Sequence, residues 1–239
     1  MQLLLSDADN TLWDTNAVYA AAQLRLLEEV EEYVGNSFQP LDRLAFVRSI
    51  DQSIAAKHPN GLRYPPILLT TELIRTAIGE PRDEFGALSC EDRHYEAARQ
   101  FERDFVERVR GNIPELREGV SQGLCDLNAI GTRIVVFTEG DEARCRSLLQ
   151  HHHIAQFVSD LKSTRKSVEE YLKMAKDFYD SIFMVGDQLD VDIALAKTAG
   201  FTTIYFPSSF APEWIERLEN VADFTIESYR QIPGLLMSK

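Results

Sequence analysis

The chain opens with a short apolar run. Residues 3–6 read LLLS and lead into Asp7, a pattern typical of a buried parallel strand whose carboxyl end delivers a polar side chain. Over residues 16–34 the apolar positions change to helical spacing, and Gly35 follows as a stop signal. We predict a strand followed directly by a long amphipathic helix.

Two different patterns follow this helix. Helical spacing continues over residues 41–54, 67–78 and 91–109, with Pro- and Gly-bearing stretches between them and no convincing strand. After residue 114 the pattern alternates, with strands predicted at 133–138, near 157, at 181–186 and at 202–206, and helices at 119–130, 141–152, 167–178 and 191–199. Such alternation is typical of a parallel sheet covered by helices on both faces.

The predicted fold class is therefore α/β, a Rossmann-like parallel sheet interrupted by an all-helical inserted domain. We predict a core made of residues 1–14 and 115–239 and an insertion of residues 15–114. Ligands bind at the carboxyl ends of the strands in such sheets. Asp7, Thr138 and Asp187 all come at the ends of predicted strands, so we expect one crevice to hold all three.

Composition and charge narrow the classes of function that the chain is expected to have. With 44% apolar and 26% charged residues, the chain is expected to fold into a packed globular protein. The formal charge of −13 repels nucleic acid and anionic membrane, so neither is expected as a partner. The same charge opposes an anionic substrate, and a phosphate site would need a metal, a lysine or backbone N–H groups.

The cysteines and the N-terminus bear on location. The three cysteines form no CxxC pair, which favours reduced thiols. The N-terminus has no basic segment and too short an apolar run for a signal sequence or a membrane span. A cytoplasmic location is expected, and no pattern indicates an oligomeric state.

Two aspartates lie in the loop after the first strand. Asp7 and Asp9 belong to the sequence DADNTL, and carboxylates at i and i+2 suit a nucleophile beside a general acid/base. The alternative is a turn in which the aspartates accept hydrogen bonds from local backbone N–H groups.

A second acidic cluster follows the strand at 181–186. Asp187, Asp190 and Asp192 would repel one another, and a hard cation relieves that cost. Oxygen ligands of this kind favour Mg²⁺. The alternative is a helix cap or first-turn acid, which we favour for Asp190, whereas for Asp187 we favour the metal.

Thr138 ends a predicted strand and Lys166 lies just before a predicted helix. A hydroxyl and an ammonium aimed at one phosphoryl group would hold its oxygens and offset its charge. Taken singly, a threonine at a strand end is more often structural and a lysine more often on the surface.

In this order and on these elements, the residues resemble the haloacid dehalogenase (HAD) superfamily, in its phosphatase branch. Residues 7–12 look like its DxDxT loop, residues 137–138 like its second motif, Lys166 like its third, and residues 186–192 like its fourth, GDxxxxD. Four ordered motifs are more specific than any one of them. The insertion corresponds to the family's helical cap domain, a lid that selects substrate.

The resemblance implies a role for each acid of the first motif. Asp7 would be the nucleophile that forms an aspartyl-phosphate, and its other oxygen would bind Mg²⁺. Asp9 would protonate the leaving oxygen and then deprotonate water, while its backbone carbonyl binds the metal. Asp187 would be a direct metal ligand.

The remaining roles also come from the resemblance. Thr138 and Lys166 would bind the phosphoryl group, and Asp192 would support the metal waters or Lys166. Glu139 departs from the Asn or Lys often seen after the threonine. The third motif lacks the usual Lys-Pro pair, so Lys162 is a rival. Lys166 is preferred because it lies at a helix start, where N–H groups favour an anion.

The expected function is Mg²⁺-dependent hydrolysis of a small phosphorylated metabolite, a phosphomonoester. Asp9 favours ester hydrolysis over dehalogenation, because a leaving halide needs no proton. A phosphotransferase or phosphomutase with the same aspartyl-phosphate chemistry is the alternative. A signalling receiver domain would carry its acidic pair before the phosphorylated aspartate, and an idle binding module would have lost Asp7 or Asp9. The substrate is not encoded in any of these motifs.

Overall fold

The computed structural model describes four stretches of the chain, residues 1–80, 85–175, 179–210 and 219–238. The fold separates into two compact units. Met1–Asn16 and Pro114–Lys239 form the first, here called the core unit, and Ala17–Ile113 forms the second, the inserted unit. That the inserted unit acts as a cap stays a prediction.

A six-stranded parallel sheet forms the centre of the core unit. Its strands are β1 (Gln2–Ser6), β2 (Arg133–Thr138), β3 (Asp160–Ser163), β4 (Ser181–Gly186), β5 (Thr202–Tyr205) and β6 (Phe224–Thr225). They lie in the order β3-β2-β1-β4-β5-β6, so β1 is an inner strand. Leu3, Leu4 and Leu5 of β1 are all buried, which explains the continuous apolar run at the start of the sequence.

Helices cover both faces of this sheet, as predicted. The α-helices of the described residues are α1 (Thr15–Val34), α2 (Arg43–Lys57), α3 (Ile67–Ala77), α4 (Tyr95–Gly111), α5 (Val120–Ala129), α6 (Glu142–His151), α7 (Val168–Met174), α8 (Leu195–Thr198) and α9 (Ile232–Met237). Leu4 packs in a cluster with buried residues of α5, α6 and α9. Leu3 and Leu5 pack in a second cluster with α7 and α8, because successive side chains of a strand point to opposite faces.

Side-chain caps end the two loops that follow β2 and β3. The carboxylate of Asp141 accepts a hydrogen bond from the backbone N–H of Arg144 (2.7 Å) and begins α6. The hydroxyl of Ser167 accepts one from Glu170 (3.2 Å) and begins α7. Each cap satisfies a backbone donor that the helix leaves unpaired, and so fixes how far each loop extends beyond its strand.

Several predicted elements differ in the structure. The predicted strand near residue 157 is wrong, because Ala155–Phe157 is a 3₁₀ turn and the strand is β3. Only Leu161 of β3 is buried, so this edge strand has no clear apolar pattern. The helix predicted over residues 191–199 begins as a π-helical turn, Leu189–Ala194, before α8. Strand β6 and helix α9 were not predicted, and residues 176–178 of the helix predicted at 167–178 lie outside the described residues.

The inserted unit contains α1 from Ala17 onward and α2 to α4, and its described residues include no strand. Each of these helices has buried apolar side chains, among them Leu26 of α1, Val47 of α2, Leu73 of α3 and Phe105 of α4. In the described parts of both units, every helix is too short or too polar to cross a membrane.

Candidate active site

The predicted site residues meet at the carboxyl ends of the inner strands. Ser6 of β1 pairs with Val136 of β2 and with Val185 of β4. The backbone N–H of Asp7 continues this pattern and donates to the carbonyl of Val185 (2.9 Å). The ends of β1, β2 and β4 therefore lie side by side, where ligands bind in parallel sheets.

Three buried carboxylates form a cluster at this edge. One oxygen each from Asp7, Asp187 and Asp192 lies within 4.8 Å of the others. Gly186 makes room for the third, since a Cβ there would lie 2.3 Å from Oδ2 of Asp192. The same oxygen accepts a hydrogen bond from the backbone N–H of Gln188 (3.0 Å). The π-helical turn thus places the side chain of Asp192 beside the end of β4.

Lys166 is the basic group of this cluster. Its Nζ lies 2.5 Å from Oδ1 of Asp7 and 2.6 Å from Oδ1 of Asp192, and its side chain is 3% exposed. Its backbone N–H donates to the carboxylate of Glu139 (2.5 Å), which ties the loop after β3 to the loop after β2. Lys162 lies on β3 and is exposed. Of the two candidate lysines, Lys166 is the one in contact with Asp7.

The charges in the cluster do not balance. Burial, opposed by Lys166 and reinforced by Asp192, raises the pKa of Asp7 to about 7. Burial and the carboxylates of Asp7 and Asp192 raise the pKa of Asp187 well above its usual value. Burial disfavours the charged form of Lys166, but Asp192 and Asp7 outweigh it and raise the lysine's pKa. When all are ionised, three carboxylates face one ammonium, which leaves two negative charges.

A divalent cation fits this cluster. Within the described residues, Oδ1 of Asp187 is buried and has no hydrogen-bond partner, a costly state for a buried oxygen. The donors of the cluster are carboxylate oxygens, which hard cations prefer. A cation there would neutralise the two remaining negative charges and give Oδ1 of Asp187 a partner.

Asp9 and Thr138 lie beside the cluster. Oδ1 of Asp9 accepts hydrogen bonds from the indole of Trp13 (2.9 Å) and the hydroxyl of Thr15 (2.8 Å). The hydroxyl of Thr138 accepts one from the backbone N–H of Gly140 (3.0 Å). A Cβ on Gly140 would lie 2.9 Å from Oδ2 of Asp9 and 3.2 Å from the Thr138 hydroxyl. Both side chains therefore approach the same glycine.

Sequence reasoning missed the contacts by which four residues support the site. Trp13 and Thr15 orient Asp9, Glu139 holds the backbone of Lys166, and Arg117 donates to three backbone carbonyls in two loops. Glu139 stood out only as a departure from the motif. Arg117 belongs to no pattern that the sequence displays.

Solved structures share this fold along the whole chain. A Bacillus subtilis protein, YfnB, described as a candidate HAD-hydrolase bound to magnesium, is 17% identical to this chain, with a TM-score of 0.67. The match covers 99% of this chain and 98% of YfnB. A Haemophilus somnus protein, described as a predicted phosphoglycolate phosphatase, is 17% identical with a TM-score of 0.64, covering 99% and 97%. A Thermotoga maritima protein, described as a candidate β-phosphoglucomutase, is 16% identical with a TM-score of 0.64, covering 100% and 99%. At these identities the similarity establishes the fold alone.

Comparison by sequence identifies the family. A search of curated protein sequences found no match. The family model described as haloacid dehalogenase-like hydrolase matches residues 1–200, a span that includes all the predicted site residues. The resemblance predicted from the four motifs is thereby confirmed, and the chain belongs to the haloacid dehalogenase-like hydrolases.

Proposed function

We propose that this chain is a Mg²⁺-dependent phosphohydrolase that cleaves a small phosphomonoester through an aspartyl-phosphate on Asp7. One observation carries the proposal, the buried cluster in which Lys166 contacts Asp7 and Asp192 while Asp187 lies within 4.8 Å. The cluster combines a carboxylate nucleophile, a lysine that can offset phosphate charge, and oxygen ligands for a cation.

The carboxylates of Asp7 and Asp9 take part in both chemical steps. One oxygen of Asp7 bonds to phosphorus as the bond from phosphorus to the leaving oxygen breaks, and Asp9 donates a proton to that oxygen. Water then attacks the phosphorus of the aspartyl-phosphate, and Asp9 accepts the proton of the water. The bond from phosphorus to Asp7 breaks, which restores the carboxylate and releases inorganic phosphate.

Lys166 and Thr138 hold the phosphoryl group. An ammonium has three N–H donors, and Asp7 and Asp192 take two of those of Lys166, so the third is available to a phosphoryl oxygen. The Thr138 hydroxyl accepts from Gly140, which leaves its own proton to donate. Both groups offset the charge of the transferring phosphoryl group.

The acidic cluster supplies the cation site. Mg²⁺ held by the carboxylates of Asp7 and Asp187 and by the backbone carbonyl of Asp9 would add positive charge beside the phosphoryl group. Asp192 orients Lys166 through its Oδ1 and accepts from the backbone of Gln188 through its Oδ2. Asp192 therefore acts through the lysine.

The test is an assay against a panel of phosphate esters, including sugar phosphates, phosphoglycolate and nucleoside monophosphates, in Mg²⁺ and in EDTA. We expect turnover that needs Mg²⁺ and falls roughly 10³-fold or more in Asp7→Asn, because the nucleophile is lost. Asp160→Asn is the matched control, since Asp160 is exposed at the start of β3. Equal phosphate release by wild type and Asp7→Asn would refute the mechanism.

Product analysis separates hydrolysis from the alternative reaction. A phosphohydrolase releases one inorganic phosphate for each alcohol formed. A phosphomutase or phosphotransferase would instead return an isomeric or newly phosphorylated product with little free phosphate. Phosphorus NMR of the reaction mixture distinguishes these products directly.

A further inference from the structure

Arg117 makes an unusual set of contacts for a half-buried side chain. Its Nη1 donates to the backbone carbonyls of Asn10 and Phe206, the latter at 3.0 Å, and its Nη2 donates to that of Pro207 (2.6 Å). Its guanidinium carbon lies 3.5 Å from the centre of the Phe206 ring. One side chain therefore joins the loop after β1 to the loop after β5.

These two loops belong to opposite halves of the proposed site. Asn10 is adjacent to Asp9. The backbone N–H of Phe206 donates to the carbonyl of Gly186 (2.9 Å), the residue directly before Asp187. Strand β4 lies between β1 and β5 in the sheet. No ladder of backbone hydrogen bonds therefore joins β1 to β5 directly, and Arg117 supplies the link between their loops.

Several contacts hold the loop after β1. Asn10 adopts φ of +57°, a left-handed conformation that asparagine adopts more readily than most other residues with a side chain. Its side-chain oxygen accepts a hydrogen bond from the backbone N–H of Asn16 (2.8 Å), and its carbonyl accepts from Arg117. The backbone N–H of Arg117 also donates to Leu12 (3.0 Å).

We propose that Arg117 is a positioning residue that clamps the loop bearing Asp9 to the loop beside Asp187. Its kinetic effect rests on the phosphohydrolase function proposed above, whereas the clamp itself does not. A displacement of about 1 Å at reacting groups can lower turnover about 10²-fold. Loss of the clamp therefore lowers kcat, while Lys166 and Thr138 still bind the phosphoryl group and KM changes little.

The test compares Arg117→Ala and Arg117→Lys with Arg146→Ala. Arg146 is the matched control, because it is an exposed arginine of the core unit whose side chain pairs with Glu142 on α6. We expect kcat to fall about 10- to 100-fold in Arg117→Ala, with KM within about threefold of wild type. Arg117→Lys should lose less than the alanine variant but stay below wild type, because an ammonium cannot donate as a fork or stack on the ring as a guanidinium does.

A second measurement, of tryptophan fluorescence, follows the loop after β1 and needs no enzyme turnover. The indole of Trp13 donates to Asp9, so its emission reports on the loop after β1. All proteins for this readout carry Trp214→Phe, because Trp214 lies outside the described residues and would add a second signal. Arg117→Ala should shift the Trp13 emission and change its response to added Mg²⁺, whereas Arg146→Ala should not. Added guanidinium ion should restore part of kcat and of the emission in Arg117→Ala alone.

The outcomes separate the possibilities. A folded Arg117→Ala variant with wild-type kcat would overturn the inference, as would a loss of activity that only matches the fraction of unfolded protein. If the alanine variant does not fold, a folded Arg117→Lys variant with wild-type kcat would overturn the inference instead. If wild type hydrolyses no ester, the proposed function fails, and the Trp13 emission alone decides whether the clamp exists.

Discussion

Lys166→Met tests whether the ammonium compensates the buried carboxylates. Methionine has a similar length, but it removes the charge that contacts Asp7 and Asp192. The three side chains are 3%, 8% and 1% exposed, in the order Lys166, Asp7 and Asp192, so water cannot readily replace the lost contacts. The carboxylates would then repel one another with no lysine among them.

The magnitude follows from the two distances. At an effective dielectric constant of about 20, charges 2.5 and 2.6 Å apart attract by roughly 6 to 7 kcal/mol for each pair. The cost of burying the ions offsets much of this, and removal of one partner from a buried pair typically lowers the free energy of unfolding by about 3 to 5 kcal/mol. In a protein of this length, Tm changes by about 2 to 4 °C for each kcal/mol of stability. The expected decrease in Tm is therefore roughly 6 to 20 °C.

The assay is thermal unfolding followed by circular dichroism in EDTA and again in Mg²⁺. The control is Lys162→Met, because Lys162 is exposed on the neighbouring strand β3, and we expect its free energy of unfolding to stay within about 0.5 kcal/mol of wild type. Mg²⁺ should raise the Tm of wild type, because a cation that binds only the folded state stabilises it. If Lys166→Met unfolds in EDTA at the wild-type temperature, the reasoning about the cluster is refuted.

Two further changes test other parts of the structure. Gly186→Ala should abolish most activity and lower the free energy of unfolding by about 1 to 3 kcal/mol, because its Cβ would overlap Asp192. The control Gly234→Ala should do neither, because nothing lies within 4 Å of its new Cβ. Wild-type activity and Tm in Gly186→Ala would contradict this prediction. Hydrogen bonds from Arg43 lower the pKa of Glu31, so the stability that this pair contributes is present above the unfolded-state pKa of about 4.5 and is lost as pH falls through the lower folded-state pKa. Urea unfolding should therefore show Arg43→Met to be less stable than wild type at pH 6, with a difference that decreases as the pH is lowered, and a difference independent of pH would argue against the pair.

The cluster also bears on the expectation about local charge at a phosphate site. From the net charge of −13 we inferred that a phosphate site would need a metal, a lysine or backbone N–H groups. The lysine is present, but the carboxylates around it outnumber it, so Lys166 alone does not make the cluster positive. Under the proposed function, phosphate binding there would depend on the cation as well as on the lysine.

The inner part of the sheet was predictable because its signals are local. Strands β2 and β4 have the bounds predicted from their apolar runs, since strands buried on both faces must be apolar at nearly every position. The edge strand β3 and the two-residue β6 have one buried residue or fewer. Their pairing depends on neighbouring strands, and local sequence carried no usable signal for them.

Three features could be predicted from the sequence, namely the order of the motifs, the family and the strand ends that carry Asp7, Thr138 and Asp187, because these are properties of short segments. Which of the two candidate lysines contacts Asp7 depends on the folded structure. Lys166 and Asp7 are 159 positions apart, and their contact exists only once the strands are paired side by side. The same holds for Arg117, because the carbonyls that its side chain binds come together when β1, β4 and β5 form one sheet.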